Sequence, residues 1–356
     1  MMGSMNESPL NPLHARLGAR MAQKDGWNMP HSFRNLMEEH LAARSACAIF
    51  DISHISKFLV RGNGALAWLE TQLSQKLADC QDGASTHTLL LDGHGKIIDK
   101  MALLRESAGS FYLLGHAGVE AQVSAWLHTH KNNASLEIRN ETNRWCAMAL
   151  MGPHCEQVLY RVLRGCVELP GMQRFMRFFY QNHELILGRL GLHEEAESER
   201  MYEFFCPAVA GLSWFESFMG AGAQPCGAST RESLRLERGC VAVGSEITRQ
   251  STPAEVGLAS LCSVKNLTAT EGDAPKPREV VVHLRCVEPG RIVPEPGSAV
   301  RDSIGSTVGH ITSAAFSPTH DSVVAMALIA TPLAQNGMHL VVMVQGRPVP
   351  AVVMKE

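Results

Sequence analysis

Thr88-Leu89-Leu90-Leu91, Asp92-Gly93-His94-Gly95-Lys96 and Ile97-Ile98-Asp99-Lys100-Met101-Ala102-Leu103-Leu104 follow one another as two aliphatic runs joined by a polar turn with two glycines. That is the pattern of a β-hairpin. Ser110 to Leu114 reads as a further strand and Val119 to His128 as a helix. Strands that succeed one another before a helix intervenes point to an α+β layer rather than a doubly wound parallel sheet. The second hairpin strand carries a single acid near its start, Asp99, among mostly aliphatic neighbours.

Outward from the hairpin the same mixture continues. Phe33, Leu36, Met37 and Leu41 recur at spacings close to helical, which predicts an amphipathic helix over Phe33 to Arg44 with Ser32 as its N-cap. Phe58 to Gly64 reads as a strand running into a turn, and Ala65 to Leu73 as the helix after it. The apolar run Cys146 to Met151 precedes Gly152-Pro153 and a further helix. Residues 266–278 are polar, poor in large apolar side chains and broken by two prolines, so they read as a linker. Beyond it Val280 to Val287, Thr307 to Thr312, Val323 to Ile329, His339 to Val344 and Val349 to Met354 are β-type runs between Gly and Pro turns. They predict a small antiparallel barrel or sandwich over residues 279–356.

The chain has 356 residues, which at roughly 150 residues per domain predicts two or three domains. With 45% hydrophobic and 19% charged residues it has enough apolar side chain for real cores and too little charge for a disordered chain. Thirty-two basic against 35 acidic side chains leave a formal charge of -3, so neither a nucleic-acid nor an anionic-membrane partner is expected. The longest apolar run, Val323 to Ala330, is far shorter than the ~18 to 20 residues a membrane span needs. Met1 to Glu7 show no basic stretch leading into an apolar core, Gly3-Ser4 reads as a cloning remnant, and the expected compartment is cytoplasmic. The ten cysteines lie far apart without a CxxC pair and read as mostly buried thiols.

Generic catalytic motifs are missing. Gly93-His94-Gly95-Lys96 has neither the spacing nor the following Ser/Thr of a phosphate-binding loop. His193-Glu194-Glu195 has Glu197 where a zinc-protease helix needs its second histidine, so no metal site is expected there. On its own residues Asp99 reads as a turn-end acid capping the hairpin, Glu203 as a surface acid on a strand, and Arg231 as a helix-face arginine paired with Glu237 or another acid.

Taken in order, however, several blocks resemble one family. Leu17-Gly18-Ala19-Arg20-Met21, Gly26-Trp27-Asn28-Met29-Pro30, Glu39-His40-Leu41-Ala42-Ala43-Arg44 and Phe50-Asp51-Ile52-Ser53-His54 are similar to the glycine-cleavage-system T-protein, the tetrahydrofolate-dependent aminomethyltransferase. So are Gly95-Lys96-Ile97-Ile98-Asp99, Pro225-Cys226-Gly227, Arg231 to Glu237, Thr252-Pro253 and Thr312 to Thr319. The resemblance implies three domains in a cloverleaf around a funnel that holds the folate. Two interleaved α+β domains would lie within residues 1–265, a linker over 266–278, and a C-terminal antiparallel β-barrel over 279–356. Asp99 matches the family's catalytic aspartate beside the folate nitrogens, where a fixed negative charge favours the cationic character that develops during transfer. Glu203 matches the glutamate that accepts two donors of the pterin edge side by side. Arg231 matches the arginine on the same ring system. Glu199 is the acid kept from a glycine-rich stretch that here reads Glu195-Ala196-Glu197-Ser198-Glu199, and His87 stands where the family has an aromatic residue. Gly115 replaces an asparagine, and Val243-Gly244 a Tyr-Gly pair.

The implied cofactor is tetrahydrofolate and the implied partner the lipoylated H-protein, which donates an aminomethyl group. Two other functions stay open. Arg238-Gly239-Cys240 followed by Gly244-Ser245-Glu246 distantly resembles the signature of folate-binding accessory proteins of the YgfZ type, which support iron–sulfur enzyme maturation. The altered segment Glu194 to Met201, together with His87, suits a folate-dependent demethylase with a retuned donor pocket.

Overall fold

The hairpin forms from Ala84–Leu91 and Ile97–Ser107. The Asp92 amide donates to the Lys96 carbonyl at 2.8 Å, and Asp92 Oδ1 accepts from the amides of His94 and Lys96 at 2.8 and 2.9 Å. An aspartate at this position thus satisfies the turn from its own side chain. The computed structural model describes residues 5–131, 135–191, 200–263, 277–287 and 291–354. By internal contacts the chain divides into two compact units, residues 1–90 with 98–230, and residues 91–97 with 231–356.

In the first unit the hairpin strands lie inside an eleven-stranded sheet. Its order is Gln224–Pro225, Ala48–Asp51, Trp145–Met151, Met201–Pro207, His183–Arg189, Arg174–Tyr180, Ala84–Leu91, Ile97–Ser107, Ser110–Gly115, Ser56–Arg61 and Glu137–Asn140. The registered pairs are antiparallel except for the short Gln224–Pro225 strand, which runs parallel to Ala48–Ile49. This is the α+β arrangement that the sequence predicts. Helices Ala65–Gln72 and Glu120–Thr129 supply Trp68, Leu69, Val123 and Leu127 to a core with Phe58, Leu90, Leu103 and Phe111. Helices Cys155–Leu163 and Gly211–Gly220 supply Val158, Leu159, Trp214 and Phe218 to a second core with Ile49, Met148 and Phe204.

The first amphipathic helix departs from its expected form. It runs over Leu36–Ser45, and its N-cap is Asn35, whose side chain accepts from the Glu38 amide at 3.0 Å; Ser32 is not the cap. Met37 and Leu41, expected on the buried face, are exposed, while Glu39, His40, Ala42 and Ala43 are buried. The cause is polar. One Glu39 oxygen accepts from the amides of Phe33 and Arg34 at 2.6 and 2.8 Å, and the other from the Gly227 amide and the Thr230 hydroxyl at 2.7 and 2.8 Å. These four donors turn Glu39 inward and rotate the apolar residues out. Gly227 is required here, since a Cβ would stand 2.2 Å from the His31 carbonyl oxygen.

A second buried carboxylate organises the Phe50 to His54 block. Asp51 accepts from the Ser8 hydroxyl at 2.5 Å, His14 Nε2 at 2.8 Å and the Ser53 amide at 2.9 Å. Burial alone would raise this carboxyl, but the His14 hydrogen bond and charge, aided by Ser8 and Ser53, hold it below its usual value.

In the second unit six strands close a barrel in the order Glu279–Cys286, Ser322–Ala330, Thr307–Ser317, Ala299–Arg301, His339–Val344 and Arg347–Met354. All registered neighbours are antiparallel. The strand expected over Thr307 to Thr312 continues to Ser317, because a register shift between Ile311 and Ser313 lets Ser313 to Ser317 pair with Ser322 to Met326. The three-residue strand Ala299–Arg301 carries too little pattern to be read from sequence. The conspicuous Thr312 to Thr319 block meets the helix Ala228–Glu237 and the turn after it through side chains. Ser313 Oγ donates to Glu246 at 2.5 Å, Arg235 Nη2 to Ser313 Oγ at 3.0 Å, Ser233 Oγ to the Phe316 carbonyl at 2.9 Å, and the Ser317 hydroxyl to Glu237. Of the expected linker only Pro277 and Arg278 lie within the described residues.

Replacing Glu39 by alanine strands two backbone amides on one side and an amide and a hydroxyl on the other. Urea unfolding of Glu39→Ala is therefore expected to show a loss of about 2 to 4 kcal/mol, with Glu39→Gln intermediate. A loss below about 1 kcal/mol would show that water satisfies these donors equally well.

Candidate active site around Asp99, Glu203 and His87

Asp99 is the third residue of the strand Ile97–Ser107 and is completely buried. Its Oδ2 accepts from the His116 amide at 3.0 Å, whereas Oδ1 is buried without a hydrogen-bond partner among the described residues. Burial pushes the carboxyl up to about 8, against the opposing pull of the His116 and Lys100 amides and the Lys100 charge. An acid that merely capped the hairpin would lie at the turn in water. This one is instead buried and held as a largely protonated carboxyl at neutral pH, with one oxygen lacking a hydrogen-bond partner among the described residues.

Glu203 and His87 come together through a third strand end. The Glu203 side chain, on Met201–Pro207, is fully buried, and its Oε2 accepts from the Leu190 amide at 2.9 Å. His87, on Ala84–Leu91, places Nε2 3.1 Å from the Leu190 carbonyl. A carbonyl only accepts, so His87 donates from Nε2 in this contact. The two side chains thus grip the two faces of one peptide segment, and the position of a Cβ on the adjacent Gly191 would lie 3.4 Å from His87 Nε2. Side-chain chemistry of this kind does not follow from strand patterns, because Leu190 is more than a hundred residues from His87 in the chain.

Arg231 is half-buried on the helix Ala228–Glu237, in the second unit. Glu237, its suggested partner, accepts from Ser317 and from the Thr319 hydroxyl, the latter at 3.1 Å. Glu199, together with His193, Glu194, Glu195 and Glu197, lies outside the described residues. Cys240 is buried, and its carbonyl accepts from Arg235, so the residue is embedded in the helix-to-barrel packing of its own unit. Eight of the ten cysteines are buried and all ten are free thiols.

Sequence reading passed over Lys57. It is fully buried on Ser56–Arg61, and Nζ donates to the Ser53 and Ile55 carbonyls at 2.9 and 2.8 Å. Burial brings its ammonium down to about 7, against the raising influence of Cys146, Asp51 and Glu120. The only hint in the sequence is a charge inside an apolar strand, a pattern that equally fits an exposed edge residue. Two open cavities of about 440 and 480 Å³ flank the helix Cys155–Leu163, and none of the sequence-predicted site residues lines either. Among the described residues no cluster of His, Cys, Asp and Glu could hold a metal, and no helix is long and apolar enough to cross a membrane.

Comparison with known proteins agrees with this architecture. The family model of the GCVT N-terminal domain matches residues 10–266, and that of the glycine cleavage T-protein C-terminal barrel domain matches residues 280–356. The chain belongs to the glycine cleavage T-protein family. It is similar to the aminomethyltransferase of Halothermothrix orenii, at 26% identity over 99% of each chain. It is similar also to that of Chlorobaculum tepidum, at 29% identity over 98% of this chain and 97% of the other. The crystal structure of glycine cleavage system aminomethyltransferase T from Bartonella henselae shares the fold, with a TM-score of 0.89 at 24% identity, covering 99% of this chain and 97% of that one.

The raised carboxyl of Asp99 has a consequence for stability. The folded protein keeps a proton that the unfolded chain releases between about pH 4 and pH 8, so the stability that goes with this group is complete at low pH and is lost as pH rises through 8. Asp99→Asn removes that dependence. Chemical unfolding at pH 5 and pH 8 is expected to show the variant gaining on the native protein at the higher pH; parallel behaviour at both pH values would contradict the buried, protonated carboxyl.

Proposed function

We propose that this protein transfers a one-carbon unit from an aminomethyl group on the lipoyl arm of a carrier protein to tetrahydrofolate, with release of ammonia. At the coarser level it is an aminomethyltransferase-like enzyme, as its family and its full-length relatives have it. The observation that carries the finer reading is the buried Oδ1 of Asp99, which has no hydrogen-bond partner among the described residues. A buried carboxyl oxygen without a partner costs free energy until one arrives, and an amine nitrogen is such a partner, accepting from the protonated carboxyl or donating to the carboxylate. Glu203 fits the same ligand by resemblance, being a fully buried carboxyl of the same sheet that can accept paired donors.

Tetrahydrofolate supplies, when bound, the ring amines that receive the one-carbon unit and a pterin edge with adjacent donors. The protein's own contribution lies in three groups. Asp99 holds a proton while its site is empty of positive charge, and gives it up as cationic character develops nearby, so the anion forms where it stabilises most. Glu203 fixes orientation, and its own position is set by the Leu190 amide. His87 braces that segment from the other side through the Leu190 carbonyl, taking a structural place where the family has an aromatic ring. Arg231 and Glu199 complete the binding set by resemblance. The carrier protein is the lipoylated H-protein in this reading, and the cytoplasm its compartment.

Calorimetric titration of tetrahydrofolate is expected to give micromolar binding that Glu203→Ala weakens at least about tenfold. With aminomethylated H-protein, formation of methylene-tetrahydrofolate is expected to fall by about a hundredfold or more in Asp99→Asn. Binding without turnover on this donor, but with turnover on a methyl donor, would replace the aminomethyl reading by the demethylase one. No binding of tetrahydrofolate at all would end the folate reading.

A further inference from the structure

Asp25 and Gly26 form the turn between the antiparallel strands Arg20–Lys24 and Trp27–Ser32. Their φ angles are +53° and +79°, the left-handed conformation that a two-residue hairpin turn demands and that aspartate and glycine accept. This hairpin lies against the backbone that follows the strand Ser110–Gly115. A Cβ on Gly118 would stand 3.0 Å from Asp25 Oδ1, and Ala117 packs with Trp27 and Met29.

The His116 ring joins the two. Its Nδ1 accepts from the Gly118 amide at 3.2 Å, which makes His116 the N-cap of the short 3-10 helix Ala117–Val119 that leads into Glu120–Thr129. Its Nε2 stands 3.6 Å from Asp25 Oδ2, an oxygen that is buried without a hydrogen-bond partner among the described residues. A neutral imidazole whose Nδ1 accepts an amide proton carries its own proton on Nε2, the nitrogen that faces the Asp25 carboxyl.

The same residue reaches Asp99 through its main chain. The His116 amide donates to Asp99 Oδ2 at 3.0 Å. With the Lys100 amide and the Lys100 charge it pulls the carboxyl down against burial. A half-buried peptide at the end of a strand tilts unless its dihedral angles are fixed from elsewhere, and here the ring fixes them, tied to an amide two residues on and set against the hairpin turn.

We propose that His116 is a positioning residue for Asp99: its ring, tied to the Gly118 amide and set against Asp25, fixes the peptide whose amide grips Asp99 Oδ2, and so holds the carboxyl in the one orientation that one-carbon transfer uses. The proposal rests on the reading of Asp99 as the catalytic group of tetrahydrofolate-dependent transfer. It extends the active site to the N-terminal hairpin, whose turn touches no reacting atom.

The test compares the native protein with His116→Ala, His116→Asn and Asp25→Asn in two measurements. Chemical unfolding against pH, taken in each background as the difference from the same chain carrying Asp99→Asn, reports the Asp99 proton without reference to activity. In the native protein the loss of stability with rising pH levels off above about 8. Losing a donor to the carboxylate raises the carboxyl further, so in His116→Ala the levelling is expected at higher pH. With aminomethylated H-protein as donor, kcat is expected to fall about tenfold in His116→Ala while KM for tetrahydrofolate stays within about twofold. His116→Asn keeps an acceptor for the Gly118 amide and is expected to recover most of kcat. Asp25→Asn, which the left-handed turn accepts, is expected to lower kcat about threefold with the same upward move in pH. Native kcat and native pH dependence in His116→Ala would overturn the positioning role and leave the catalytic reading of Asp99 standing, and native behaviour of Asp25→Asn would strike Asp25 from it. A loss of stability equal at every pH, with unchanged kcat, would assign the ring to packing and overturn the proposal as well. Absence of Asp99-dependent turnover in the native protein would remove the reading of Asp99, and the proposal with it.

Discussion

A carboxyl group taken out of water must either be met by donors or keep a proton, and the interior of this protein is arranged around that constraint. Glu39 is met by three amides and a hydroxyl, Asp51 by a serine, a histidine and an amide, and Glu246 by Arg235, the Ala242 amide and two hydroxyls. Each of these networks ties segments that are distant in the chain, so the acids act as fasteners as much as charges. Asp99 is the exception. It has the same burial, its Oδ1 has no hydrogen-bond partner among the described residues, and it settles the imbalance by holding a proton.

That contrast separates structure from function within one sheet. A satisfied carboxylate contributes rigidity and gains nothing from a ligand, whereas a deprived one is poised to change state when charge or a donor approaches. The surroundings of Asp99 repeat the theme. Among the described residues the buried Ser56 hydroxyl also lacks a hydrogen-bond partner, and a Cβ on Gly115 would strike Asp99 Oδ2. Around Glu203 the logic is different: a backbone segment at Leu190 is gripped by Glu203 at its amide and by His87 at its carbonyl, which fixes that segment through the main chain.

The family resemblance predicts where several of these residues matter without saying how. The Glu39 to Arg44 and Pro225 to Gly227 blocks, far apart in sequence, are two halves of one contact, because the Gly227 amide needs the Glu39 carboxylate and its α-carbon needs to approach the His31 carbonyl. The Arg231 to Glu237 and Thr312 to Thr319 blocks are likewise one polar seam inside the second unit. Motifs that look like separate signatures in the chain are paired surfaces in space.

The sequence by itself determined the hairpin, the α+β class and the C-terminal barrel, since alternation, glycine turns and β-branched runs are local properties that survive without knowledge of partners. Of Asp99 its own residues said only that one acid stands near the hairpin turn among aliphatic neighbours, and the family resemblance singled it out. Tertiary structure alone decided the facing of the Leu36–Ser45 helix, where donors from Phe33, Arg34, Gly227 and Thr230 outweigh the apolar pattern and leave Met37 and Leu41 exposed. It alone decided that Lys57 is buried and that the Glu39 carboxylate meets the Gly227 amide, because contacts between residues far apart in the chain leave no periodic trace in it.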